Sequence, residues 1–182
     1  MSCDITKGKN QLVCKDAVSG LKAIYLVNYD DYGFSGTSTE SGHTLTSLGT
    51  LGSNEVFKYE LKNSGNNFQQ DITSNRDNGT TFFQQVVNFT LTKLSAEMEY
   101  QVKMAAYGRP FIFVEMNSGQ FFLMGIEHGC EIAGNSQVGG TMDSLNGYVM
   151  SATAMEKDPI WYLNNTTIAA LLAFVSSDNI QG

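Results

Sequence analysis

From Thr81 to Leu94 the side chains alternate with a strict period of two. Phe83, Gln85, Val87, Phe89 and Leu91 fall on one face, and Phe82, Gln84, Val86, Asn88, Thr90 and Thr92 fall on the other. Successive strand residues point to opposite faces, so this run predicts one long strand with the first set turned to a core. At Ser95 the period changes to nearly four. Ser95 is placed to cap a helix, Glu97 and Glu99 sit where the helix dipole favours acids, and Met98, Val102, Ala105 and Ala106 form an apolar stripe. Gly108 reads as a left-handed stop before Pro110, which gives a helix over residues 95–107 of about three turns. Phe111–Met116, the turn Asn117-Ser118-Gly119-Gln120 and Phe121–Gly125 read as a tight hairpin. Glycines 129, 134, 139, 140 and 147 then break the chain before a last strong strand, Tyr148–Met155.

The remaining strands are shorter. Leu21–Asn28 is an apolar run ending in turn residues, and Phe68–Ser74 reads as the partner strand of Glu55–Leu61 across a turn at residues 63–67, with another turn at 75–79. Glu55–Leu61 sets Phe57, Tyr59 and Leu61 on one face, which is expected to be the core face. The expected fold is mainly β: an antiparallel β-sandwich or barrel-like domain over residues 19–158, flanked by the single helix 95–107. Residues 1–18 read as an N-terminal arm, with a local hairpin around Gly8 and Asn10. Residues 159–182 read as a C-terminal arm with a short helix, capped by Asn164 or Thr166 and running through Phe174.

Between the first two strands, residues 29–54 read as a long loop punctuated by Gly33, Gly36, Gly42, Gly49 and Gly52. Loops of this length in a compact domain are usually functional or flexible. Its apolar residues Tyr29, Tyr32, Phe34, Leu45 and Leu48 would be wasted in solvent, so they are expected to form a subunit interface. The plainer alternative is a floppy insertion with a weak hairpin.

At 182 residues and 42% hydrophobic content the chain fits one well-buried domain. Only 16% of residues are charged, the formal net charge is −7, and the eleven Lys and Arg are scattered, which argues against tight binding to nucleic-acid phosphates. The opening MSCDITKGKN has no apolar core of signal-peptide length, and no apolar run approaches the roughly 20 residues that span a bilayer. The expectation is a soluble product of the cytosol without membrane anchoring. Cys3, Cys14 and Cys130 lack metal-ligand spacing and are expected to be free thiols, with a Cys3–Cys14 bridge pinning the arm as the minority alternative.

No catalytic constellation stands out. His43 lies in the glycine-rich loop, and His128 lies beside Glu127 and near Cys130 and Glu131. Were this segment extended, Glu127 and Glu131 would share a face while His128 pointed away, a poor arrangement for shared coordination. Asp30 and Asp31 are adjacent and read as a solvated pair. The glycine-rich stretches lack a phosphate-cradle ending, and no serine sits in a nucleophile elbow. No catalytic residue, cofactor or metal site is therefore expected, and the chain reads as a non-enzymatic building block.

Several segments carry a family resemblance. They are Asn78-Gly-Thr-Thr-Phe-Phe-Gln-Gln85, Leu94 to Gly108 with Ala106-Tyr-Gly-Arg-Pro110, Phe121-Phe-Leu-Met-Gly125, Gly140-Thr-Met-Asp-Ser-Leu-Asn-Gly-Tyr148 and Thr153-Ala-Met-Glu156. Together they resemble virion structural proteins of tailed bacteriophages, of the kind that infect Bacteroidetes-type hosts, with the tail-tube type the nearest. The resemblance spans roughly residues 78–158, less than half of the chain. It implies two antiparallel sheets packed as a sandwich, a flanking helix and a long loop between early strands. It also implies hexameric rings closed by strand pairing between subunits, stacked through the loop and terminal arms, with an acidic channel that repels DNA enough to let it slide. Its partners would be further copies of itself, other phage tail proteins and DNA in transit without sequence-specific binding. The location would be the phage tail of the virion, after synthesis in the host cytoplasm. A head-to-tail connector or tail-tip ring is the alternative within that class. A carbohydrate-binding or adhesion β-sandwich, with Tyr107, Trp161 and Tyr162 lining a groove, is the alternative from another class.

Overall fold

The computed structural model describes residues 5–10, 15, 17–39, 42–61, 65–178 and 180. Two sheets account for most of it. The strands are β1 (Leu21–Val27), β2 (Ser35–Thr39), β3 (Gly42–Ser47), β4 (Val56–Glu60), β5 (Asn67–Asn75) and β6 (Thr80–Thr92), followed after helix α1 (Ala96–Tyr107) by β7 (Phe111–Met116), β8 (Phe121–Met124), β9 (Glu131–Val138), β10 (Asn146–Glu156) and β11 (Trp161–Leu163). Helix α2 (Asn165–Ala173) ends the regular structure. One sheet has seven strands in the order β2-β3-β11-β8-β7-β1-β4, and the other has four in the order β5-β6-β10-β9. Among the described residues every strand pairing is antiparallel except β11 with β3, and Val175 adds a parallel bridge to Val56 at the start of β4.

The central strands β1, β7 and β8 of the seven-stranded sheet are buried on both faces, which explains their continuous apolar runs, whereas β2 at its margin is exposed throughout. Ile24, Leu26, Ile112, Val114, Phe122 and Met124 point to the space between the sheets, where they meet Val87, Phe89, Ile132, Tyr148 and Met150 of the four-stranded sheet. Ala23, Tyr25, Val27, Phe111, Phe113, Phe121 and Leu123 point the other way into a second core. A lid of Tyr32, Leu45, Leu48, Leu51 and Leu171 covers that second face. Each such side chain taken fully out of water contributes about 1.5–3 kcal/mol of hydrophobic stabilisation, so two cores on one sheet anchor the whole chain. The long alternating strand behaves as its period predicts: Gln85, Val87 and Phe89 are buried on β6.

The helix and hairpin also follow the sequence. Ser95 accepts the Met98 amide at 3.1 Å as the N-cap of α1, and Met98, Val102 and Ala105 pack on the inter-sheet core. Ala106, expected on that stripe, is exposed. Gly108 ends the helix in an extended conformation (φ −87°, ψ −176°), not the left-handed one expected. Gly119 takes φ +82° in the β7–β8 turn, where a Cβ would be strained.

Four expectations need correction. Glu55–Leu61 and Phe68–Ser74 are not partner strands: the structure puts them, as β4 and β5, in different sheets. Residues 29–54 are not one long loop: they hold the hairpin β2–β3, joined to the sheet through β11. Residues 159–182 are not simply an arm, because β11 sits inside the seven-stranded sheet and α2, capped by Asn164, buries Thr167 and Leu171. On β4 the core position nearest the second core is Val56, fully buried, while Phe57 is 37% exposed. This strand serves both cores, so neither alternating set is uniformly inside. Residues 5–10 and 17–18 are exposed and carry no regular structure. Residues 11–14 of the expected N-terminal hairpin lie outside the described residues, as do Cys3 and Cys14; Cys130 is a buried free thiol.

Candidate functional site

The four-stranded sheet presents its second face to solvent. Inward positions alternate with an outer set of Gln69, Asp71 and Thr73 on β5, Gln84, Val86 and Asn88 on β6, Val149, Ser151, Thr153 and Met155 on β10, and Ala133, Asn135 and Gln137 on β9. No Lys or Arg occurs in any of these four strands, and Asp71 and Glu131 are the carboxylates that the outer face carries. Phosphate backbones are held by clustered cations, so this wall offers DNA no electrostatic grip.

Among the described residues neither outer strand of this sheet has a second strand partner: β5 pairs only with β6, and β9 only with β10. Unpaired strand margins expose rows of N–H and C=O groups that template pairing with another chain. The margins here are long, nine residues in β5 and eight in β9. The outer parts of β5 and β6 also project past the sandwich as a two-stranded ribbon, since β10 ends its pairing at Phe83. Ile72, opposite Phe83 at the root of this ribbon, is 65% exposed. No family model, curated protein or solved structure matches the chain.

The residues expected at a subunit interface lie elsewhere. Tyr32, Leu45 and Leu48 are buried in their own chain's second core, and Phe34 packs against that core. Tyr29 stacks on Phe111 with ring centroids 5.0 Å apart, donates its hydroxyl to the Glu127 carbonyl at 3.0 Å and carries Arg109 over its ring at 4.3 Å. The surface that suggested an intermolecular contact is largely consumed within the chain. Tyr29, Tyr32 and Phe34 line a cleft with Asp30, Asp31 and Glu127. The groove proposed for a carbohydrate is not formed as expected: Trp161 is buried, its ring tilted against His43 with centroids 3.5 Å apart, while Tyr162 and Tyr107 are exposed on β11 and α1.

The pairing of Glu127 with Glu131 is also corrected. Residues 125–129 form a tight turn, with Gly125 and Gly129 at φ +75° and +72°, so Glu127 and His128 converge and Glu131 goes to β9. Their partner is Glu156, a buried carboxylate at the end of β10 that sequence reasoning passed over. Its Oε1 accepts the amides of Glu127 and His128 at 3.2 and 2.9 Å, and its Oε2 stands 3.3 Å from His128 Nδ1. Lys157 pairs with Glu127 from the adjoining position.

Elsewhere the buried polar groups are structural. Tyr25 donates to Glu115 at 2.7 Å and Lys22 pairs with the same carboxylate, and burial followed by this bond raises the Tyr25 hydroxyl above its ordinary range. Burial likewise pushes the Cys130 thiol up, which keeps it protonated and a poor nucleophile.

Proposed function

We propose that this chain is a self-assembling virion structural protein of the phage tail-tube type, whose copies join edge to edge and stack as rings around a channel. The observation that carries the reading is the four-stranded sheet, free of Lys and Arg, whose outer strands have no second strand partner among the described residues. Joining β5 of one copy to β9 of the next would satisfy both rows of backbone groups and remove the exposed edges. Continued around a closed ring, the same pairing would make one continuous inner wall. A wall mostly of Thr, Ser, Asn and Gln, with Val86, Ala133, Val149, Met155 and the two carboxylates Asp71 and Glu131, carries no cation to hold DNA. The resemblance over residues 78–158 supports the same reading, and six copies per ring is the number it implies. The partners would be identical subunits, other tail proteins and DNA in transit.

Proline substitution on β9 tests this directly. Along an antiparallel edge strand the N–H groups of neighbouring residues point alternately inward and outward, so one of Asn135→Pro and Ser136→Pro removes only an outward donor. That variant should fold as the parent does and fail to assemble. Assembly at the parental concentration by both folded proline variants would exclude the β9 margin as the joint.

A further inference from the structure

We infer that the corner formed by Glu127, His128 and Glu156 is a binding site for a divalent transition-metal ion of the Zn²⁺ class. A carboxylate oxygen of each glutamate and a ring nitrogen of His128 all lie within 4.8 Å of one another. Zinc takes such nitrogen and oxygen donors at about 2.0–2.2 Å, which places neighbouring ligands roughly 3.4 Å apart. The contraction required is small and falls on the side chains able to make it. His128 and Glu127 are 66% and 38% exposed, whereas Glu156 is 0% exposed and fixed.

The fixing of Glu156 is itself the arrangement a metal ligand needs. Ligating carboxylates are oriented by hydrogen bonds on the oxygen turned away from the ion. Here Oε1 is held by the amides of the two residues that supply the other ligands, leaving Oε2 facing the His128 ring. One turn therefore assembles all three donors, two of them adjacent in sequence and the third brought from the end of β10.

Charge points the same way. A fully buried carboxylate calls for a compensating cation. The Lys157 ammonium makes its ion pair with Glu127 and acts on Glu156 only through space, and the exposed imidazole is the group facing Glu156. A divalent ion bridging the two carboxylates and the imidazole supplies that charge and leaves its remaining positions open to solvent. It would compete with Lys157 for Glu127, so removing the lysine should strengthen binding.

The test uses the full chain with Cys3 and Cys14 replaced by serine, stripped with chelator and titrated calorimetrically with Zn²⁺ and then Co²⁺. One ion should bind per chain, and the Co²⁺ form should lack a thiolate charge-transfer band. His128→Ala should weaken binding by about tenfold or more, and Lys157→Met should tighten it. Glu156→Gln, which retains an oxygen to accept both amides, should also weaken binding while circular dichroism stays unchanged. No uptake of either ion, or uptake unaffected by His128→Ala, would overturn the inference; His128 is exposed, so its loss does not threaten folding.

Discussion

Gln85, buried on β6, accepts the backbone amide of Gly125 at 3.1 Å across the interior between the sheets. Its amide nitrogen donates to the Asp158 carbonyl at 3.3 Å. One side chain thus ties the long strand to the end of β8 and to the segment leading into β11. Phe68 and Phe122 meet across the same interior with ring centroids 4.5 Å apart.

Gln85→Leu keeps the volume and leaves the buried Gly125 amide without its partner, while the half-exposed Asp158 carbonyl can turn to water. An orphaned buried donor or acceptor costs about 1–3 kcal/mol, so urea unfolding should shift to lower denaturant by an amount in that range. An unchanged midpoint would mean that the tie is redundant.

His43 and Trp161 give a pH-dependent signal. Burial lowers the His43 pKa below 6.5, outweighing the opposite influence of Asp158 and of the Pro159 carbonyl. Between the folded value and 6.5 the unfolded chain binds a proton that the folded chain does not. Stability from this group is therefore present above pH 6.5 and falls as the pH drops through that window. Trp161 is the single tryptophan, so its fluorescence should titrate with a midpoint below 6.5 in the parent and lose that transition in His43→Phe. A midpoint at or above 6.5 would contradict the burial assignment.

Deleting Ser35 to Gly52 separates a loop from a structural element. Had this segment been an independent loop, the sandwich would survive its removal. The structure makes it part of the second core, with Leu45, Leu48 and Leu51 buried and β3 joined to β11. Loss of a buried leucine side chain alone costs about 2–5 kcal/mol, so the deletion should abolish the cooperative unfolding transition. A retained transition near the parental temperature would restore the loop reading.

The legible parts of the fold were those with a clean period or a cap. Thr81–Leu94 alternates without a break, Ser95 and Asn164 cap their helices, and Gly119 marks a turn, so local residues alone specify these elements. The strands β2, β3 and β9 were hidden because glycine normally signals a break. Gly36 lies where a Cβ would come 2.4 Å from the Trp161 ring, and Gly134 where it would come 2.5 Å from Met150 Sδ. These glycines allow close packing in a sheet, a requirement set by partners distant in sequence. The short strand β11 follows Pro159 and gains its place only from β3 and β8. The Glu156 corner was hidden for a related reason: its partners lie 28 and 29 residues away and meet it only because the 125–129 turn folds back.

On the proposed reading, folded subunits complete their open sheet margins with one another. Sedimentation velocity across a wide concentration range, with negative-stain microscopy of the heaviest fraction, tests it most directly. The expected result is a concentration-dependent shift from subunit to closed rings and stacked tubes with a hollow axis, abolished by the folded β9 proline variant. A folded species that stays monomeric at every concentration, with no ring or tube in the images, would contradict it.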